Sequence, residues 1–383
     1  MSSKDNLKYK VNHEYFTPDD FVKDCPGIKY VPSILPAVKR LIAIGDIHGD
    51  LGLAIRSFKL ANLIDDKFNW IAQPPDTVVV QVGDQIDSCR PIPGLNDCHN
   101  VKYAGDVRDD MNVLEFFNKM HIEASKAGGA VYSLLDNHKL MNAQGNFNYV
   151  SYENMQNFNY KQYQGPAGRK EAFKPGAPIA NMLACTRPSI LVVGSTLFVH
   201  AGLLPSLAKK LKFFNIETEL KLDYLNNIVR KWLLGKLSEA EFKNYIMIAS
   251  DKQESLFWTR IYGAIPENTS MDSSVCDNNV KKVLEVFQIG QMVIGHTPQM
   301  ASNKSGINGT CYEKGKNTLY RIDGGFSHAF QVFGDNTRKS VQVLEIIDDQ
   351  IFNILTDNMG TQGSIADHDL EVVTKVFSQN RSH

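Results

Sequence analysis

Short apolar runs that stop at an acidic or histidine-bearing turn recur along this chain. RLIAIGD at 40–46 is followed by DLGLAIRSFKLANLI at 50–64, in which Leu51, Ala54, Ile55 and Phe58 return at helical spacing. This reads as strand, loop and helix. The same grammar repeats in TVVVQVGD at 77–84, a Pro- and Gly-bearing loop from Cys89 to Gly105, the amphipathic stretch MNVLEFFNKMHIEA at 111–124 and the strand-like GAVYSLLDNH at 129–138. Alternating strands and helices predict α/β layers.

After a loop rich in Tyr, Asn and Gly, ILVVGSTLFVHAG at 190–202 predicts a hairpin turned at Gly194 and Ser195, with its second strand ending at His200. Residues 205–260 read as mainly helical, a cap or side layer beside the site. The last third returns to strands in QMVIGH, TLYRIDGG, SVQVLEII and QIFNIL, whose alternation suits a sheet covered on one face. The expected organisation is an N-terminal surface segment over 1–38, one catalytic domain over 39–357 carrying the helical insert, and a C-terminal tail over 358–383.

With 383 residues and 43% hydrophobic composition, the chain can bury a large core without disulfide support. Its 41 Lys and Arg nearly balance 42 Asp and Glu, so no whole-molecule field draws it to nucleic acid or anionic membrane. Cys25, Cys89, Cys98, Cys185, Cys276 and Cys311 lie apart in the sequence, and MSSKDNLKYK lacks the apolar run of a secretory leader, so a reducing, cytoplasmic setting is expected. No run approaches the ~20 apolar residues needed to span a bilayer.

The chemistry gathers where the apolar runs stop. Asp46 and His48 follow the first, Asp84 the second, Asn137 and His138 the third, and His200 and His296 later ones. Strand ends are where α/β folds assemble sites. One such residue alone is most simply a turn or packing group. Asp46, His48, Asp84, Asn137, His200 and His296 together supply the mixed oxygen and nitrogen donors that suit first-row transition metals. A carboxylate between two metals can hold them ~3.5–4 Å apart, where both can grip a phosphoryl group and a bridging water loses its proton near neutrality. Asp84 is the natural bridge.

GDIHGD at 45–50, GDQID at 83–87, NHKLMN at 137–142, VHAGL at 199–203 and GHTPQ at 295–299 resemble, in order, the motifs of the calcineurin-like metallophosphoesterases. The GDQID form, NHKLMN, FWTR at 257–260 and GHTPQ most resemble the Shewanella-like branch of the phosphoprotein phosphatases. The resemblance implies a four-layer sandwich of two mixed β-sheets flanked by helices. It implies two metal ions (manganese, iron or zinc), one on Asp46, His48 and Asp84 and the other on Asp84, Asn137, His200 and His296. It also implies His138 as general acid, oriented by Asp87. Arg260 is the first candidate for gripping phosphate. The family places an Arg directly after the Asp that here is Asp87, whereas this chain has Ser88 there and Arg90 two positions on, so Arg90 is a second candidate.

The third motif departs from the family, with Asp136 in place of Gly and Lys139 in place of Glu. Asp tolerates a left-handed backbone better than most residues, and its charge could strengthen metal binding or add a stray ligand. Lys139 reverses a charge beside the expected metals, which predicts weakened activity unless a carboxylate compensates nearby.

Smaller features read more simply. Cys89, Cys98 and His99 lack the spacing of a zinc site. DGGFS at 323–327 is either a glycine turn or a segment near the site, His328 is structural, and PGAPIANMLA at 175–184 packs the core. The leading function is hydrolysis of phosphomonoesters, on phosphoserine, phosphothreonine or phosphotyrosine of proteins. The alternatives are cleavage of a dinucleoside polyphosphate, and a pseudo-phosphatase that binds a phosphorylated partner without turnover.

Overall fold

A computed structural model of the protein describes residues 18–94, 96–243, 253–302, 306–333 and 341–357. The expected tail from 358 onward and residues 1–17 of the expected N-terminal segment lie outside the described residues.

Thirteen strands are described: β1 (Ile34–Leu35), β2 (Arg40–Ile44), β3 (Val78–Gln81), β4 (Ala130–Ser133), β5 (Asn159–Tyr160), β6 (Tyr163–Gln164), β7 (Ile190–Val193), β8 (Thr196–Val199), β9 (Gln291–Ile294), β10 (Asn308–Glu313), β11 (Lys316–Arg321), β12 (Gln342–Ile347) and β13 (Ile351–Thr356). They form a six-stranded sheet in the order β1-β7-β8-β9-β11-β10, a five-stranded sheet in the order β13-β12-β2-β3-β4, and the small hairpin β5-β6. Both large sheets are mixed. β2, β3 and β4 run parallel while β12 is antiparallel to β2, and β8, β9 and β11 run parallel while β7 and β10 are antiparallel to their neighbours β8 and β11.

Period-two alternation sorts each strand into two cores. Leu41, Ala43, Val78 and Val80 face Leu191, Val193, Phe198, Val293 and Tyr320 between the two sheets. Ile42, Ile44 and Val79 face outward onto the helices Leu51–Leu60 and Asp110–Lys126. Ile190, Val192, Leu197, Val199, Met292 and Leu319 cover the other outer face, beneath helices that include Pro178–Thr186 and Thr218–Leu233. This is the four-layer arrangement of two mixed sheets between helices. Each such apolar side chain contributes about 1.5–3 kcal/mol when fully buried, so a charge at Val80, which is fully enclosed, would split the inner layer.

Within 205–260 the described helices are Pro205–Lys210, Thr218–Leu233 and Glu239–Lys243. Leu207, Leu222, Leu225 and Trp232 join the core of the six-stranded sheet. Strands β1, β5, β6 and β10 were not expected; β1, β5 and β6 are two residues each, and β10 carries only Cys311 and Tyr312 as apolar residues.

The cysteine reading is corrected. Cys25–Cys185, Cys89–Cys98 and Cys276–Cys311 are disulfides, each with Cα atoms 5.5 or 5.6 Å apart, and none of the six is free. Cys89 and Cys98 therefore offer no thiolate for zinc. The pairing also removes the basis on which a reducing compartment was expected. Among the described residues, no helix is long and apolar enough to cross a membrane.

Candidate metal centre

All three parallel strands of the five-stranded sheet, and β8, β9 and β11 of the other, end at the same place. Asp46 and His48 follow β2, Asp84 follows β3, Asn137 follows β4, His200 follows β8, His296 follows β9 and Asp323 follows β11. Backbone bonds tie these turns together: the amides of Ile47 and His48 both donate to the Asp84 carbonyl, and Gly295 N–H donates to the His200 carbonyl.

The glycines before Asp84 and His296 have a steric reason. A Cβ on Gly83, whose φ is +119°, would lie 2.5 Å from His200 Nδ1, and one on Gly295 would lie 2.2 Å from Asp46 Oδ1. Each glycine thus lets a ligand from another strand approach. His48 (φ 50°), Asp84 (45°), Asp87 (72°) and His296 (67°) occupy the left-handed region without being glycine. Such strain is of order 1–3 kcal/mol each and gathers at functional sites, held by the surrounding bonds.

Asp84 stands at the middle. Its Oδ1 is 3.2 Å from His200 Nε2, and its Oδ2 is 3.6 Å from His48 Nε2 and 3.7 Å from His138 Nε2. Two donor groups share it, His48, Asp84 and His138 on one side and Asp84, His200 and His296 on the other. Asn137 Oδ1 lies 2.8 Å from His200 Nε2, and Asp46 Oδ2 accepts from the His296 amide at 2.8 Å and lies 4.0 Å from His48 Nε2. The structure thus brings all six expected ligands to one buried spot, and His138 stands there too.

The donor set fits a cation. Asp46 Oδ1, Asp84 Oδ1, Asp323 Oδ2 and His296 Nδ1 are buried without a hydrogen-bond partner, the His200 contact to Asp84 Oδ1 being close but poorly aligned. An unpaired buried carboxylate oxygen costs free energy that a metal ion would recover. Burial, then Asp323 and Asp84, push the Asp46 carboxyl well up. Burial likewise raises Asp323 to about 6. Burial opposes the charge on Asp84 as well, but His138, His200 and His48 outweigh it and hold its carboxyl well below the usual range. Burial drives the His48 and His296 imidazoles toward the neutral form, the state in which imidazole binds metal.

His138 Nδ1 meets Asp87 Oδ2 at 2.9 Å, leaving Nε2 facing Asp84. Asp87 is held in turn by Asn142, Arg169 and Asp110, three residues that the motif reading passed over.

Arg90 lies at the site. Its Nη1 donates to the carbonyls of Asp87 and Cys89, its Nη2 lies 2.5 Å from His48 Nδ1, and its guanidinium sits over the Phe330 and Tyr149 rings. The His48 contact requires Nδ1 to accept, with the ring proton on Nε2. A cation on Nε2 would send that proton to Nδ1 and release Nη2 from the ring. Arg260 is exposed, and its Nη1 donates to the His296 carbonyl at 3.2 Å.

The altered third motif proves to be an internal pair. Asp136 adopts an extended backbone (φ −146°), so no left-handed position has to be tolerated there. Its Oδ1 caps the helix Asn137–Ala143 by accepting from Lys139 N–H, and its Oδ2 accepts from Lys139 Nζ, which also donates to the Leu134 carbonyl. Both side chains are fully buried. The compensating carboxylate is Asp136 itself.

His328 N–H and Nδ1 both bond Asp50 Oδ2, while Asp50 Oδ1 caps the helix Leu51–Leu60 through Leu53 N–H. Asp323 of DGGFS therefore abuts the site, and His328 just after it braces the first motif.

No family model matches the chain. It is 57% identical over 248 residues, 63% of its length, to an uncharacterized protein of Acanthamoeba polyphaga mimivirus, 98% of which is covered. Shewanella-like protein phosphatase 2 of Arabidopsis thaliana is 28% identical over 359 residues, covering 84% of this chain and 78% of that protein. Shewanella-like protein phosphatase 1 of Plasmodium berghei is 25% identical across 75% of this chain and 67% of its own length. Among solved structures, the cold-active protein-tyrosine phosphatase of a psychrophilic Shewanella superposes with a TM-score of 0.58 at 19% identity, over 85% of this chain and 82% of that one. With the ordered motifs and the two-sheet fold, these likenesses support a relationship to the Shewanella-like protein phosphatases, and the chain has their metallophosphoesterase-type fold.

Proposed function

We propose that this protein is a metal-dependent phosphatase that hydrolyses phosphomonoesters, with phosphoserine, phosphothreonine or phosphotyrosine of proteins as its substrate class. The observation that carries this reading is the convergence on Asp84 of two buried donor groups, with unpaired carboxylate oxygens between them.

In this reading Asp46, His48 and Asp84 hold one metal, and Asp84, Asn137, His200 and His296 hold the other. When bound, such a pair stabilises charge on phosphoryl oxygens and acidifies an attacking water. Manganese, iron and zinc all suit these donors. The chain's own groups do the rest. Arg90 and Arg260 grip the equatorial oxygens, for which forked guanidinium donors are matched. His138 gives the leaving alkoxide its proton from Nε2, with Asp87 fixing the ring through Nδ1. His138 also lies within reach of a donor group with His48 and Asp84, but its bond to Asp87 favours the acid role over ligation.

The test is metal analysis of the purified chain together with manganese-, iron- and zinc-supported hydrolysis of a phosphopeptide panel. Two metals per chain and turnover that falls at least 100-fold in Asp84→Asn are expected. A metal-free chain that stays inert after metal addition would overturn the reading and favour a non-hydrolytic phosphate binder. Cleavage of dinucleoside polyphosphates alone would redirect the substrate class.

A further inference from the structure

Arg169 is fully buried on the helix Gly165–Phe173, far in sequence from every motif, and its guanidinium is engaged on all sides. Nη2 donates to Asp87 Oδ1 at 3.2 Å and to Asp110 Oδ2 at 2.8 Å. Nε donates to Asn142 Oδ1 at 2.7 Å, and Nη1 to the Asn154 carbonyl at 3.4 Å. The rings of Phe173 and Phe158 lie 4.9 and 5.6 Å from its central carbon. A buried cation with this many fixed partners has one position.

Its partners converge on Asp87 from two directions. Asp110 Oδ1 accepts from the Asp87 amide at 3.0 Å, holding a backbone whose φ is +72°. Asn142 Nδ2 donates to both carboxylate oxygens of Asp87 at 3.0 Å and to the His138 carbonyl at 2.9 Å. Arg169 grips the Asp110 and Asn142 side chains as well as Asp87, so it anchors the whole cradle. Asn142 bonds both oxygens, so it is Arg169 on Oδ1 that leaves Oδ2 to face His138 Nδ1. That contact turns Nε2 toward Asp84.

We propose that Arg169 is a positioning residue for the hydrolytic reaction: by fixing the Asp87 carboxylate from behind, it holds the His138 ring in the one orientation and tautomer that can deliver a proton to the leaving group. This rests on the reading of His138 as general acid. The hydrogen bonds and ring contacts of Arg169 go to Asp87, Asp110, Asn142, Asn154, Phe158 and Phe173 and not to the expected ligands, so it acts on proton delivery and not on metal binding.

Leaving-group dependence separates this from a merely structural role. A nitrophenolate leaves without help, whereas the alkoxide of a phosphoserine peptide needs its proton in the transition state, where general-acid catalysis supplies roughly 10²–10⁴-fold. With the full-length chain loaded with manganese, Arg169→Met is expected to lose 10-fold or more additional kcat on a phosphoserine peptide than on p-nitrophenyl phosphate, with metal content unchanged. His138→Asn should show the same selectivity, more strongly. Arg169→Lys keeps the charge but cannot span Asp87, Asp110 and Asn142 together, so it should fall between parent and Arg169→Met. If Arg169→Met does not fold, Arg169→Lys decides, with the nitrogen-15 signals of His138 in the diamagnetic zinc-loaded chain reporting whether Nδ1 still carries the proton.

Equal losses on both substrates, or unchanged His138 signals in a folded variant, would overturn the proposal. If His138→Asn itself shows no leaving-group selectivity, the acid assignment fails first and independently of Arg169.

Discussion

Lys139→Met removes the cationic half of a pair in which both side chains are fully buried. What remains is the Asp136 carboxylate, still capping the helix through the amide of residue 139 but with no counter-ion at Oδ2. Removing one member of a buried ion pair costs about 3–5 kcal/mol, because the surviving charge stays desolvated. Asp136→Asn keeps a good capping side chain and strands the ammonium instead. Burial already lowers the Lys139 pKa against the opposing pull of Asp136, so the stranded lysine can shed its proton. The loss should therefore sit toward the lower end of that range. Asp136→Asn/Lys139→Met removes both charges of this pair, leaving the buried Arg187, which also feels Asp136, held by its neutral hydrogen-bond partners, and replacing a whole pair by neutral groups is often close to neutral. The double variant is thus expected to be more stable than either single one. Urea unfolding followed by tryptophan fluorescence, with midpoints converted through a common m-value, measures all four corners of the cycle. Single variants within about 1 kcal/mol of the parent, or a double variant costing the sum of the two, would refute the internal-pair account. Lys139 would then again be an uncompensated charge beside the centre.

Other outcomes follow from the same contacts. Burial works against a charged His328, but Asp50, then Asp109 and Asp106, raise its pKa, and the same pairing lowers that of Asp50 against burial. The His328 contribution is fully present below about pH 6.5 and is lost as pH rises through its raised folded value, while the Asp50 contribution is lost only as pH falls below about 4. His328→Gln should therefore cost more stability at pH 5.5 than at pH 9 in urea titrations, and an equal cost at both would contradict the pairing. Arg90→Ala removes charged hydrogen bonds worth roughly 1.5–3 kcal/mol each, so kcat/KM on a phosphoester should fall about 10- to 200-fold; an unchanged value would exclude Arg90 from phosphate binding. Cys25 and Cys185 lie 160 residues apart and Cys89 and Cys98 only 9 apart. On the chain-entropy account, breaking the first should cost about 5 kcal/mol and the second about 2–3 kcal/mol. Paired Cys→Ala variants in chemical unfolding test that order.

The strands and the donors at their ends could be read from the chain because both obey local rules. RLIAIGD and TVVVQVGD carry the apolar run and the ligand within a few residues, and parallel strands deliver their carboxyl ends to one edge. The cradle around Asp87 obeys no local rule. Arg169 lies 82 residues from Asp87 and 59 from Asp110, and nothing in GPAGRKEAF distinguishes its arginine from a solvated one. The disulfides were hidden for the same reason, since cysteine spacing carries no period and two cysteines 160 residues apart meet only when the segment after the helix Pro18–Asp24 packs against the helix Pro178–Thr186.

Asp136 and Lys139 differ from these in kind, because their relation was present in the spacing. Asp at a helix N-cap and a residue three positions on face each other, through the amide and through the side chain alike. Judged one at a time against the family motif, Asp136 is a lost glycine that the backbone can tolerate and Lys139 a reversed charge that predicts damage. Taken as one exchange across a single helical turn, they bring in one positive and one negative charge that cancel where they are buried. That exchange also staples the turn presenting Asn137 and His138, so the altered motif keeps the two residues that the chemistry needs and changes only how they are held.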